Sequence, residues 1–536
     1  MMRATGPVRA WAILCALAGG VVFGGQPGAA PAPERARPMP RTPSAYDARD
    51  DVFYHFMPIA WRWGEPAGAV PDVAREHRFG NFAGMIDSLA YLESLGVTGV
   101  WINPVFPSRA YHGYQHGEAD RINPWFGTEE EFLAFVGAAR QRGIKVYVDL
   151  VAYGISQDSA YFTNSRGAPE HPDGGMLAYT DAGRTQFTGY SFRTWTGERI
   201  GFVNWDLRDA RARDLVIGWS KRWLDPNGDG DVSDGIAGYR LDHVWARYDK
   251  GPDGLGYNID DFWRAWRAGL ETVNPQVFTF AEQAKWETSG ADLLATGDGA
   301  NAHDAAFTKV FEMAAREALR RGKAKPLIDA MERTVRECPP GRTFLAIIGD
   351  HDVDRLASAI GADRAETLGR ARAAAAVLLL QPFPPVLYYG DEIGMLGKAG
   401  NFGSDANDIP RREPMKWLAA HGAPMPDYAR LHAGVWEKRY SHDHDGRSVE
   451  EQAGVEGSLL ETYRALVRAR RADIVLRRGS YETVAVDDPG VWVFRRSLAG
   501  EGSRLVAINL GGTDAGVRVG GRTIVVPAYG HVVERE

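Results

Sequence analysis

The sequence predicts an α/β protein: a (β/α)8 TIM barrel with an inserted subdomain after strand 3 and a C-terminal antiparallel β-sandwich. Three observations predict it. From about residue 51 onward, short apolar strand-like runs alternate with helical stretches, the βαβ rhythm that sets parallel strands inside a layer of helices. The rhythm pauses once, over a polar stretch rich in Gly, Thr and aromatics. After Ile474 helical spacing gives way to short alternating runs separated by Gly-rich turns.

The first strand is Val52-Phe-Tyr-His-Phe-Met-Pro58. A helix follows over residues 85–95, with Met85, Leu89, Leu92 and Leu95 spaced to line one face. Gly96 stops it, and residues 97–103 form the next strand. Thr128 with Glu131 three places on is a capping box. The helix it opens turns Phe132, Phe135 and Ala139 inward, Gly143 stops it, and residues 144–151 are the third strand. Residues 155–203 are the inserted subdomain. A helix returns over residues 210–224, carrying Leu215, Trp219 and Trp223 on one side. Strands ending at Asp242, Glu282 and Asp352 follow, then Val386-Leu-Tyr-Tyr-Gly390 and a closing helix over residues 459–470. The barrel thus occupies residues 48–154 and 204–473. The runs 481–485, 491–494, 505–509 and 523–526 assign the sandwich to residues 474–536.

Ahead of the barrel, Arg3 and Arg9 precede an apolar segment, residues 11–25, too short to span a bilayer, and Gly28-Ala29-Ala30 is the expected cleavage region. Residues 1–30 read as a signal peptide, implying a secreted or periplasmic protein, and the Pro-, Ala- and Arg-rich residues 31–47 as a disordered linker. No other segment reads as a membrane span. Of the two cysteines, Cys15 leaves with the signal and Cys338 remains alone, so no internal disulfide is expected. The bulky Leu14 disfavours a lipid anchor on Cys15. The net charge of -7 comes without a basic patch, which argues against a nucleic-acid partner. The 16 Trp and 20 Tyr suit both sugar faces and core packing.

The chemistry concentrates where strands end, at the C-terminal rim of a barrel. Gly238-Tyr-Arg-Leu-Asp242, Phe278-Thr-Phe-Ala-Glu282 and Phe344-Leu-Ala-Ile-Ile-Gly-Asp-His-Asp352 are apolar runs that each finish on a carboxylate. A single such ending is most often a turn or helix cap. Three at one rim, with Arg240 and His351 beside them, suit cleavage of a glycosidic bond. Arg240 lies two residues before Asp242 and so on the same strand face, where its charge favours the ionised carboxylate.

These segments resemble the alpha-amylase family of retaining glycoside hydrolases, from about residue 51 to the C-terminus. Pro124-Trp-Phe-Gly-Thr128, Tyr389-Gly-Asp-Glu-Ile-Gly-Met395 and Arg412-Glu-Pro-Met-Lys-Trp417 are similar to further family segments. The resemblance implies Asp242 as nucleophile, Glu282 as general acid/base, and Asp352 gripping sugar hydroxyls. It implies His351 and Tyr114 as substrate contacts, and Asp149 and Arg355 as supporting residues. An α-glucan or oligosaccharide is the implied substrate. The chain departs from the family at Tyr153 and Gly154, where Asn-His is usual: that histidine normally contacts the sugar and that asparagine is often a calcium ligand, though Asp206 resembles another acid of the region. Gln115, where exo-acting glucosidases usually have Asp, resembles endo-acting members.

Calcium is expected, if anywhere, in the loop Asp225-Pro-Asn-Gly-Asp-Gly-Asp-Val-Ser-Asp234. Asp225, Asn227, Asp229 and Asp231 alternate there and Gly230 allows a sharp turn. Ile236 occupies the place of the final acid, and a solvated turn explains the loop equally. No organic cofactor is expected. Three functional readings stand: an endo-preferring hydrolase of α-1,4-glucosidic bonds, a transglycosylase or trehalose/sucrose-type isomerase sharing its chemistry, and an inactive glycan-binding relative.

Overall fold

The computed structural model describes residues 46–244, 259–294, 302–364 and 368–536. The signal peptide falls outside these residues, as does most of the expected linker. Its last two positions do not. Tyr46 packs edge-on against Phe278 (centroids 5.4 Å apart) and Asp47 caps the 3-10 turn Ala48–Asp50, so the linker assignment is corrected to end before residue 46.

Eight parallel strands run around one sheet in chain order: Phe53–Phe56, Gly99–Ile102, Lys145–Leu150, Gly238–Val244, Phe278–Gln283, Ala305–Phe307, Thr343–Leu345 and Val386–Tyr388. The first pairs with the eighth, and a parallel bridge between Ala346 and Pro385 joins the seventh to the eighth, which closes the barrel. Phe53, Trp101, Tyr147, Phe278, Phe280, Phe307, Leu345 and Val386 fill its interior. Large rings here make a packed core, not a pore. A second, larger apolar cluster lies between strands and helices.

Local chemistry sets the elements. Thr128 and Glu131 form both bonds of the capping box at the start of the helix Glu129–Gln141. The expected helix over 85–95 is instead two, Phe82–Asp87 and Leu89–Leu95. Ser88 stands between them, its hydroxyl donating to the Met85 carbonyl (2.8 Å) and accepting from Trp61 Nε1 (2.7 Å). Such back-bonding competes with the helical ladder. The strand Ala305–Phe307 is an element the sequence reading left unnamed.

The insertion after strand three is a three-stranded antiparallel sheet, Gly154–Ser156, Arg199–Asn204 and Gly189–Arg193. The C-terminal region pairs Ser480–Thr483, Val491–Leu498, Gly502–Asn509 and His531–Arg535 in one sheet and Ala515–Val519 with Arg522–Val526 in another, two strands more than the sequence indicated. Buried Arg496 ties it to the barrel through the Gln381 carbonyl, which also accepts from Arg470 on the closing barrel helix. Both arginines donate to main-chain carbonyls, Arg496 to Leu476 (2.8 Å), Gly479 and Gln381, Arg470 to Leu379, Gln381 and Phe383. Carbonyls at helix ends lack helical partners and carry the negative end of the dipole, so they receive a guanidinium well. Among the described residues no helix is long and apolar enough to cross a membrane.

Candidate active site

Arg240 organises the rim. On strand Gly238–Val244 its Nη1 donates to both oxygens of Asp149 (2.9 Å each) and to Oδ1 of Asp242 (2.8 Å), while Nη2 donates to Oε2 of Glu282. Three carboxylates from three adjacent strands therefore meet one buried guanidinium. The burial of so much charge is tolerable because each oxygen contact is charge-assisted.

Asp149 is enclosed. Besides Arg240 it accepts from Trp101 Nε1 (3.1 Å) and the Tyr114 hydroxyl (2.8 Å), and burial pushes its carboxyl up to about 7 against the pull of Arg240. Asp242 sits at a β-bulge. The pairing with strand five advances three residues from Leu241 to Val244 against two on the other side, and His243 takes φ 44°. Bulges re-aim side chains, and a non-glycine residue in the left-handed region marks strain held at a site.

Glu282 is 1% exposed. Its Oε1 has no hydrogen-bond partner among the described residues. Burial raises the Glu282 carboxyl above the usual range and the Asp352 charge adds to this, while Arg240, His243 and Lys309 oppose it. Asp352 Oδ2 lies 3.3 Å from His351 Nε2. Arg412 anchors Asp352 through Oδ1 (3.1 Å), and also binds the His351 carbonyl (2.7 Å) and the Tyr111 hydroxyl (2.9 Å).

The Tyr114 and His351 rings stack in parallel, 5.3 Å apart and 11° from coplanar. Tyr114 has one hydroxyl proton and gives it to Asp149, so the 2.8 Å contact with His351 Nε2 makes that nitrogen the donor. Burial holds His351 neutral, with its pKa well below the usual histidine value. The barrel brings Asp149, Tyr114, Arg240, Asp242, Glu282, His351 and Asp352 together.

Two further expected residues bond groups other than these acids. Gln115 is buried, and its amide donates to the Tyr190 hydroxyl of the inserted sheet (2.7 Å). Arg355 lies with its guanidinium carbon 4.4 Å from both the Tyr388 and Tyr389 rings, bracing the end of strand eight rather than touching the acids. The calcium-loop acids face inward on their own turn. Asp225 accepts amides from Gly228 and Gly230 (2.9 Å each), Asp229 and Asp231 accept amides two residues on, and the Asn227 amide donates to Asp229. Asp225, Asp229 and Asp231 are residue types that suit calcium. Among the described His, Cys, Asp and Glu residues, the group that brings three ligand atoms within 4.8 Å is Asp350, His351 and Asp352. There Lys309 pairs with Asp350 and Arg412 with Asp352, so cations already occupy those acids.

Sequence reasoning gave no role to several rim residues. His55 Nε2 meets Asn103 Oδ1 (2.8 Å), and Asn103 donates to the Tyr114 hydroxyl (3.0 Å). Both sit at ends of barrel strands, a position that could have found them. Tyr153 donates to Asp242 Oδ2 (3.1 Å).

A closed parallel barrel whose C-terminal rim holds arginine-linked carboxylates defines a barrel glycosidase. The alpha amylase catalytic domain matches residues 58–198 and 203–479, and the chain belongs to the alpha-amylase family of glycoside hydrolases. It is similar to alpha-amylase 3 of Dictyoglomus thermophilum, 24% identical over 435 residues that cover 79% of each chain. It is similar also to the trehalose synthase of Pimelobacter sp., 26% identical over 509 residues and 85% of each. The crystal structure of alpha-amylase from H. orenii shares the fold, with a TM-score of 0.72 and 23% identity over 91% of this chain and 99% of that one.

Proposed function

We propose that the protein is an exported, retaining α-glycosidase that hydrolyses α-1,4-glucosidic bonds of starch-like glucans or maltooligosaccharides. The observation that carries the reading is the shared guanidinium. Asp242 and Glu282 bind adjacent nitrogens of Arg240, which draws the two carboxylates into a close pair. Retention needs a spacing of roughly 5–5.5 Å, whereas inversion needs roughly 6.5–9.5 Å to admit a water.

In this mechanism Asp242 attacks the anomeric carbon and forms a glycosyl ester. Glu282 protonates the departing oxygen from Oε1, the oxygen left without a partner. Its raised carboxyl is suited to hold that proton. Asp352 and His351 hold sugar hydroxyls as the ring flattens toward the oxocarbenium ion, and Tyr114 supports the ring's apolar face. Glu282 then takes a proton from water, which attacks the anomeric carbon, breaks its bond to the carboxylate oxygen and frees Asp242. Proton NMR of maltoheptaose digests should detect the α-anomer first, with internal cleavage products appearing before glucose. A first-formed β-anomer overturns the reading.

A second reading, glycosyl transfer or isomerisation, is favoured by the similarity to a trehalose synthase. It predicts transfer products in place of reducing sugar in the same digests. Export rests on the charged and apolar pattern of residues 1–30. N-terminal sequencing of protein from a Gram-negative host's periplasm should begin near residue 31, and an intact Met1 argues against it.

A further inference from the structure

Tyr153 stands where the strand Lys145–Leu150 gives way to the inserted sheet. Its hydroxyl donates to Oδ2 of Asp242, and its ring rests edge-on against Phe202 (centroids 5.5 Å) and beside His243 (6.4 Å, 26°). The next residue is glycine for a physical reason. A Cβ at Gly154 would lie 2.3 Å from the Phe202 ring and 2.5 Å from the Val203 carbonyl, because Gly154 pairs with Asn204 in the antiparallel sheet. Position 154 can carry no side chain in this arrangement, so the polar group at this side of the nucleophile comes from residue 153.

The two oxygens of Asp242 are therefore held differently. Oδ1 faces Arg240, at the buried floor shared with Asp149. Oδ2 faces Tyr153 and lies 4.0 Å from Nδ1 of His243, whose side chain is half exposed. Oδ2, away from the Arg240 contact and toward half-exposed His243, is assigned as the oxygen that bonds the sugar. Burial and the nearby Asp242 charge hold the Tyr153 phenol well above its usual pKa, so it keeps its proton throughout the cycle.

Resting on the assignment of Asp242 as nucleophile, we propose that Tyr153 is a positioning residue that stabilises Asp242 as the leaving carboxylate when the glycosyl–enzyme is hydrolysed. In the first step the Asp242 Oδ2–C1 bond forms, the glycosidic C1–O bond breaks, and the Glu282 proton passes to the leaving oxygen. The ester oxygen is a poorer acceptor than a carboxylate oxygen, so the Tyr153 bond weakens. In the second step water adds to C1, its proton passes to Glu282, and the C1–Oδ2 electron pair returns to Asp242. Negative charge develops on Oδ2 opposite the phenol, and the hydrogen bond strengthens as the barrier is crossed. Tyr153 helps the second step and slightly restrains the first.

The test is Tyr153→Phe, which keeps the ring on Phe202 and removes only the donor. With maltosyl fluoride, kcat should fall about tenfold, the scale of one hydrogen bond to a charged group. KM should fall with it, and a pre-steady-state burst of fluoride should appear as the glycosyl–enzyme accumulates. A merely structural role lowers the melting temperature or raises KM and gives no burst; either result, or an unchanged kcat, overturns the inference. If the variant does not fold, 3-fluorotyrosine at position 153 keeps the shape and alters donor strength, and an unchanged deglycosylation rate overturns the inference equally. Trapping with a 5-fluoroglycosyl fluoride, read by peptide mass, separates the two levels. A label on a residue other than Asp242 in the wild type sinks the nucleophile assignment, whereas a label on Asp242 in both proteins without slower turnover of the trapped ester in Tyr153→Phe sinks only the role of Tyr153.

Discussion

Asp242→Asn is expected to lower kcat on starch by about 10^4-fold or more, because it removes the one group that can form the glycosyl ester. The fold should survive. Arg240 loses a single carboxylate and keeps Asp149 and Glu282, so no uncompensated charge is left buried. Asn presents an oxygen of the same size to Arg240 and the nitrogen side to Tyr153. A melting temperature close to that of the wild type, alongside reducing-sugar release at background, is the expected pair of results. The smaller Asp242→Gly adds a stereochemical check. It opens space on the nucleophile's face, where azide can attack C1 directly, and the product should be the β-glycosyl azide. Activity within tenfold of the wild type in Asp242→Asn would falsify the nucleophile assignment.

The legible parts of this molecule are those whose physics is local in the chain. Asp242 and Glu282 are readable because each ends an apolar run on a barrel strand, a defined place at the rim, whereas Asp352 lies in the loop beyond its strand, which stops at Leu345 rather than at the carboxylate. Thr128 and Glu131 were readable because a capping box needs only three residues of spacing. The break at Ser88 was not, since it depends on an indole donor 27 residues away at Trp61. Ala305–Phe307 escaped because three residues carry no periodicity.

At the site the same division holds. Strand alternation puts Arg240 beside Asp242, but its bonds to Asp149 and Glu282 cross between strands. Arg412 lies in a segment whose family likeness was readable, and its grip on Asp352 spans 60 residues. Gln115 faces Tyr190 because the inserted sheet folds over it, which one position of sequence does not convey. Tyr153 appeared as the loss of a familiar pair of residues. The clash that excludes a side chain at Gly154 requires Phe202, from a strand 48 residues later.

Glu282→Gln should separate acid from base by the leaving group it is asked to serve. On starch, whose leaving oxygen needs a proton, kcat should fall about 10^3-fold, within the range for a general acid. On an α-glycosyl fluoride, which departs unaided, the first step should be spared and the ester should accumulate, since no base activates water. Azide needs no base. It should restore turnover and give the α-glycosyl azide, opposite in configuration to the product from Asp242→Gly. The pH dependence has a definite sign. Burial keeps the Glu282 proton on above the usual glutamate range, so wild-type kcat/KM on starch falls as pH rises through that raised value. The residual activity of Glu282→Gln should lack that limb. Stability follows the same group. Between the ordinary glutamate pKa and the raised folded one, the native state binds more protons than the unfolded chain, so native stability declines as pH rises through that window. Glu282→Gln removes the decline, and its melting temperature should gain on the wild type as pH is raised through the window. A variant equally impaired on starch and glycosyl fluoride, without azide rescue, would place the proton donor on another residue.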